Sequence, residues 1–181
     1  MSIPNLITLA RILLVPVLVW AIISGEMQLA FLLFLAAGIS DAIDGFLAKR
    51  FNMATELGAY LDPLADKVLI VSIYVALGIV GALPAWLVIL VVSRDIMIVG
   101  AVILSWLIGR PVAIRPALVS KLNTAAQIVF ATVKLASLGL GFSAEPLLTF
   151  LIALVVVLSL ISIGVYLREW IRHMNSAEAS L

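Results

Sequence analysis

The chain has 181 residues, of which 65% are hydrophobic and 12% charged, and its mean hydropathy is +1.29. Soluble domains are about 45–50% apolar and about 25% charged, so this composition excludes an ordinary cytosolic domain, a disordered chain and a nucleic-acid-binding protein. The net charge of +1 and the absence of cysteine exclude a bulk electrostatic partner, a disulfide framework and a thiolate site.

Six apolar stretches follow one another along the chain. A helical span needs roughly 20 mostly apolar residues to cross ~30 Å of hydrocarbon. Short segments with glycine, proline or charged residues separate the stretches, which cover residues 6–23, 29–48, 58–80, 85–108, 117–138 and 146–167. We predict an all-α polytopic membrane protein with six transmembrane helices, and a single transmembrane domain over 1–181 because the loops leave no room for a second.

The charges between these stretches are unevenly distributed. One side has only Glu26 and Glu145 in its loops. The other side, which also holds both termini, carries the basic residues Lys49, Arg50, Arg110, Arg115, Arg168 and Arg172. Cytoplasmic loops carry an excess of lysine and arginine, so we predict that both termini are cytoplasmic.

Four aspartates form two pairs inside the second and third stretches. Asp41 and Asp44 are three residues apart, and Asp62 and Asp66 are four apart, so each pair shares one helix face. An ionised group at mid-membrane costs ~2.5–3.5 kcal/mol on insertion scales, which favours a functional role. Because a short cytoplasmic loop joins the two helices, we expect the four carboxylates to converge.

Converging carboxylates repel one another unless cations neutralise them. Oxygen-only ligands favour hard divalent ions such as Mg²⁺ or Mn²⁺, and two such ions can clamp a pyrophosphate during phosphoryl transfer. Two alternatives remain from the spacing. One is ion pairing with basic side chains such as Arg11, Lys67 or Arg94, and the other is a small cation-coupled carrier that uses buried carboxylates. Arg11 itself either reaches the acidic cavity or snorkels towards the membrane surface.

The run Asp41-x2-Asp44-Gly45-x2-Ala48-Lys49-x8-Gly58-x3-Asp62-x3-Asp66 resembles the signature of the CDP-alcohol phosphotransferases. The resemblance extends from the opening segment 3–11 through the six spans. It implies a CDP-alcohol phosphatidyltransferase whose active site faces the cytoplasm and binds two divalent cations, Mg²⁺ or Mn²⁺. Lys49 stands where the family usually has arginine, so the bidentate fork is lost, and the neighbouring Arg50 is the alternative for that role.

The resemblance also implies roles for the signature residues. Asp66 is implied to be both a metal ligand and the general base that accepts the proton of the acceptor hydroxyl. The other implied metal ligands are Asp41, Asp44 and Asp62, and the residues implied to bind the CDP group are Gly45, Ala48, Lys49 and Gly58. Glycine suits such a position because the absent Cβ lets a ring approach the backbone, while close helix packing is the alternative reason for glycine there.

Two further segments bear on the acceptor alcohol. Ser93-Arg94-Asp95 and the run 120–127 resemble the cardiolipin synthase branch of the family, whereas phosphatidylglycerophosphate synthases typically have Ala-Arg-Glu at the first place and a second lysine at Asn123. The resemblance implies transfer of a phosphatidyl group from CDP-diacylglycerol to phosphatidylglycerol, giving cardiolipin and CMP. The alternative within the family is phosphatidylglycerophosphate synthesis from glycerol 3-phosphate. The candidate acceptor-binding residues are Arg94, Lys121, Arg115 and Arg110.

The same resemblance implies a homodimer in a lipid bilayer, and we expect a bacterial inner membrane as its location. No nucleic acid is expected as a partner.

Overall fold

The computed structural model describes residues 3–50, 56–107 and 118–178. Within these ranges the chain is all-helical and has no strand, as predicted. The six helices are α1 (Ile3–Ile23), α2 (Met27–Arg50), α3 (Glu56–Ile79), α4 (Ala85–Leu107), α5 (Leu118–Leu140) and α6 (Glu145–Glu178). Each contains one predicted apolar stretch to within a residue or two. Helix α6 continues to Glu178, well beyond residue 167, so its polar C-terminal part is also helical.

Tight glycine turns end α1 and α3. Gly25 and Gly81 have φ values of 81° and 72°, which cost glycine no Cβ clash. After α1, Glu26 N–H donates to the Ala21 carbonyl at 2.9 Å and Gly25 N–H donates to Ile22 at 3.1 Å. This pair of bonds is the Schellman arrangement that satisfies the last carbonyls of a helix. The sequence segments around both glycines were predicted as breaks, and the structure confirms them.

The helices pack so that α1 contacts α2 and α3, α5 contacts α2 and α6, and α4 contacts α3 and α6. The core contains fully buried Leu18, Ile73 and Leu77, and the rings of Tyr74 and Phe130 lie 5.8 Å apart. Helix α5 approaches α2 closely at Gly139, where an added Cβ would lie 2.8 Å from the Gln28 Cα atom. The C-terminal end of α5 therefore lies against the start of α2.

The outer surface of the bundle is apolar. Every helix carries at least one large hydrophobic side chain that is 60% exposed or more, for example Leu13, Ile39, Ile79, Ile89, Leu118 and Phe150. Such extensive apolar exposure is unfavourable in water. Among the described residues, Leu6–Ile23 of α1 and Glu145–Arg172 of α6 are long and apolar enough to cross a membrane. Together these features indicate a membrane protein.

Candidate active site

One arginine draws together acidic side chains from two helices. Arg11 of α1 places Nη1 2.8 Å from Asp41 Oδ1 on α2 and 2.8 Å from Asp66 Oδ1 on α3. The arginine side chain is only 1% exposed, whereas the two carboxylates are 46% and 43% exposed. Arg11 therefore reaches the acidic cavity, which was one of the two positions that the sequence left open for it.

The three residues meet because their helices bring them to the same depth. Each lies 12–14 residues from the end of its helix that adjoins the Gly25 or Gly81 turn, which corresponds to ~20 Å at 1.5 Å per residue. Since α1 packs against both α2 and α3, its buried face presents Arg11 to both carboxylates. A cavity of about 70 Å³ adjoins them, and its other lining residues include Phe34, Ala37 and Gly38.

The carboxylates suit a hard divalent cation. One nitrogen atom contacts an oxygen of each, so the two oxygens lie at most twice 2.8 Å apart. Both acids are half-exposed, and carboxylate oxygens are the ligands that Mg²⁺ and Mn²⁺ prefer. The ion pairing weighed as an alternative is present at this site, and it shows that Asp41 and Asp66 can share a positive charge.

Several predicted site residues fall outside the description. The backbone is helical at Asp44, Ala48, Lys49, Gly58 and Asp62, but the surroundings of these residues lie outside the described part, as do Arg110 and Arg115 entirely. Across the described side chains, no group of three acidic or histidine residues could hold a metal. The convergence of all four aspartates therefore stays a prediction. Gly45 is half-buried, and no described atom lies within 4 Å of an added Cβ.

A second polar cluster lies beside the first, between α3, α4, α5 and α6. Arg94 is fully buried and donates from Nε and Nη2 to Ser162 Oγ, from Nη2 to Ser120 Oγ and from Nη1 to Asp95 Oδ1. Asp95 also accepts from Lys67 Nζ, at 2.9 and 3.0 Å. These bonds use donors on all three guanidinium nitrogens, so Arg94 is placed to hold Asp95 and α6. Arg94 also lines a cavity of about 220 Å³ between α4 and α6.

The remaining candidate, Lys121, is exposed near the start of α5. The residue that sequence reasoning treated only as a counter-charge is Lys67. Lys67 directly follows Asp66, and consecutive residues on a helix point to different faces. This position was the sign in the sequence that a cation lies on α3 beside the aspartate. Lys67, Asp66, Ile70 and Thr124 line a pocket of about 160 Å³. Asn123 and Gln127 of α5 are also fully buried, and among the described residues the Asn123 amide nitrogen and the Gln127 side-chain amide lack hydrogen-bond partners.

These features define an all-helical membrane protein whose interior brings acidic side chains to a shared cationic centre. A family model for CDP-alcohol phosphatidyltransferase matches residues 1–168. The chain belongs to the CDP-alcohol phosphatidyltransferase family, and this membership sets aside the carrier alternative.

Curated relatives from both branches of the family are similar to this chain. Human "Cardiolipin synthase (CMP-forming)" is 35% identical over 152 residues, which cover 75% of this chain and 50% of that protein. A "Probable phosphatidylglycerophosphate synthase" of Mycobacterium tuberculosis is 36% identical over 134 residues, covering 71% of this chain and 63% of the relative. The "CDP-diacylglycerol--glycerol-3-phosphate 3-phosphatidyltransferase" of Bacillus subtilis is 32% identical over 143 residues, covering 71% and 73%. The chain spans about half the length of the mammalian relatives it matches.

Proposed function

We propose that this chain transfers a phosphatidyl group from CDP-diacylglycerol to phosphatidylglycerol, giving cardiolipin and CMP. The observation that carries the proposal is the meeting of Asp41 and Asp66, the first and last aspartates of the signature, at Arg11. Similarity to human cardiolipin synthase supports the choice of product.

In the proposed reaction, Asp66 holds a primary hydroxyl of the acceptor and takes its proton. The acceptor oxygen forms a bond to the phosphatidyl phosphorus, the bond from that phosphorus to the CMP oxygen breaks, and CMP leaves with the electron pair. Asp66 suits this role because it is half-exposed and lines the pocket next to Thr124. A positioned base contributes typically 10²–10⁴-fold in rate.

Two divalent cations, Mg²⁺ or Mn²⁺, are part of the proposal, with Asp41, Asp44, Asp62 and Asp66 as the residues that would hold them. When bound, they neutralise negative charge on the pyrophosphate. Gly45, Ala48, Lys49 and Gly58 are proposed to bind the CDP group. Among the described residues no atom lies within 4 Å of a Cβ added at Gly45, which supports a ligand-facing position rather than close helix packing there.

Phosphatidylglycerophosphate synthesis is the second candidate, because relatives with that printed function are 36% and 32% identical to this chain. Glycerol 3-phosphate brings a dianionic phosphomonoester, whereas phosphatidylglycerol brings a monoanionic diester that needs fewer cations. In the described structure the Arg94 guanidinium already donates to Asp95, Ser120 and Ser162, so its charge is paired within the protein. One fewer cation is then available for a dianion, which favours the lipid acceptor.

To test this proposal, purified protein is incubated with CDP-diacylglycerol and either phosphatidylglycerol or glycerol 3-phosphate. We expect cardiolipin and an equal amount of CMP in the first reaction, and little product in the second. Mass spectrometry of the lipid identifies which acceptor was used. Phosphatidylglycerophosphate as the main product would establish the second candidate, and no product with either acceptor would contradict both.

The proposal includes six membrane spans, both termini in the cytoplasm and an active site on the cytoplasmic side of a bacterial inner membrane. The loop charges support this orientation. We expect reporters fused before Met1 and after Leu181 to lie in the same, cytoplasmic compartment. Reporters on opposite sides would mean an odd number of spans.

A homodimer is also proposed. Mass photometry in detergent would show whether the protein is a monomer or a dimer.

A further inference from the structure

Lys67 borders two cavities of different character. On one side it lines the pocket that contains Asp66 and Thr124. On the other it lines a groove of about 360 Å³ between α3 and α4. The Lys67 side chain is 35% exposed, and its ammonium group bonds to both carboxylate oxygens of Asp95. This side chain therefore stands where a polar pocket beside the proposed base meets a separate groove.

The groove is apolar and faces outwards. Apart from Lys67 and Asp95, its lining consists of hydrophobic residues and one glycine: Val68, Val71, Ile96, Val99, Gly100 and Ile103. Ile96, Val99 and Ile103 are each more than half exposed on the bundle exterior. In a membrane this surface contacts hydrocarbon, so a groove here admits an acyl chain laterally from the bilayer.

The cluster formed by Lys67, Arg94 and Asp95 carries an excess of positive charge. Arg94 and Lys67 each carry one positive charge and share one carboxylate, Asp95, so these three groups sum to +1. The first cluster, with one arginine and two aspartates, sums to −1. Arg94 is fixed by Ser120 and Ser162 and cannot leave without exposing a buried charge. Lys67 is the half-exposed member of the cluster. It is therefore the group available to one negative charge, which is the charge of a phosphodiester.

We infer that the α3–α4 groove holds an acyl chain of the acceptor phospholipid and that Lys67 binds the phosphodiester of the same molecule. The headgroup then enters the pocket and presents its free hydroxyl to Asp66. Asp95 and Arg94 act as positioning residues, because they fix Lys67 rather than touch the lipid. This inference rests on the proposed function and specifies how the acceptor is recognised.

The first test removes the cation. We expect Lys67→Met to raise the KM for phosphatidylglycerol roughly 10- to 100-fold, the effect of one charge-assisted hydrogen bond, while the KM for CDP-diacylglycerol changes little. Lys67→Arg keeps the charge and is expected to recover most of the acceptor affinity. Thermal unfolding of each variant in detergent is measured in parallel. Equal increases in both KM values, or an unchanged acceptor KM, would overturn the role of Lys67.

The second test fills the groove. Gly100 lines it, and no described atom lies within 4 Å of an added Cβ, so the Cβ of Gly100→Leu fits and the rest of the side chain adds bulk at the groove. The matched control is Gly164→Leu, at an exposed glycine of α6 with the same free space and no part in the groove. We expect Gly100→Leu alone to raise the KM for dioleoyl phosphatidylglycerol severalfold, with a smaller increase for the dihexanoyl lipid.

The outcomes separate this inference from the function on which it rests. If the wild-type protein makes no cardiolipin from phosphatidylglycerol, the proposed function is wrong and no acceptor lipid occupies the groove. If it makes cardiolipin but Gly100→Leu and Gly164→Leu have the same acceptor KM, the function stands and the groove assignment is wrong.

Discussion

Asp66→Asn is expected to lower turnover ~10²–10⁴-fold, the usual contribution of a positioned general base. Asparagine is similar in size and can still accept a hydrogen bond from Arg11 through Oδ1, so the packing of α1 on α3 is preserved. What the variant loses is the negative charge and the ability to take a proton. We expect CDP-diacylglycerol to remain bound, because the other signature aspartates are unchanged.

The measurement compares turnover with the affinity for CDP-diacylglycerol in the same preparation. Glu145→Gln, at the exposed start of α6, is the matched control because it also removes one carboxylate charge. Affinity lost in parallel with turnover would make Asp66 mainly a metal ligand. Turnover close to that of the wild type would exclude it from the mechanism.

Removal of divalent cations is expected to abolish activity. The proposed ligands are all oxygen donors, so we expect EDTA to stop cardiolipin formation and Mg²⁺ or Mn²⁺ to restore it. Asp41→Asn, Asp44→Asn and Asp62→Asn are each expected to lose most activity while still inserting in the membrane. Full turnover in excess chelator would contradict the metal-dependent mechanism.

Chelation is expected to leave the fold intact, and this serves as the control for the same experiment. Arg11 neutralises part of the charge of Asp41 and Asp66 through its two ion pairs. The helices that carry the acids are also held by the apolar core around Leu18, Ile73 and Leu77. Helix content and the midpoint of thermal unfolding should therefore change little in EDTA, which would separate loss of chemistry from loss of structure.

The helices could be predicted from the sequence because apolar stretches of about 20 residues alternate with turn residues. The shared face of each aspartate pair followed from helical spacing alone. The sequence left two positions open for Arg11 and could not decide between them, because the rotation of α1 about its axis depends on how its side chains pack against α2 and α3. Periodicity within one helix carries no information about that rotation.

The role of Arg94 shows a different limit. A buried arginine beside a motif is an obvious candidate for binding an anionic acceptor, yet here its donors are used by Asp95 on its own helix and by hydroxyls of α5 and α6. Serine is common in helices and gives no sign in the sequence that it will meet a guanidinium. Lys67 was not predicted as a binding residue for a different reason: the signature ends at Asp66 and is complete without it.

The glycine turns have a consequence for where the new lipid is delivered. The turns at Gly25, Gly81 and Gly141 join consecutive helices tightly, and the contact of Gly139 with Gln28 places the α5 end beside the α1–α2 turn. Arg11, Asp41 and Asp66 lie ~20 Å of helix away from these closed ends. In the proposed orientation, CMP leaves and the product appears only on the cytoplasmic side. Transfer of the product to the other leaflet then needs a separate lipid-translocating protein. In vesicles with one protein orientation, newly made product accessible to reagents from both sides at once would contradict this asymmetry.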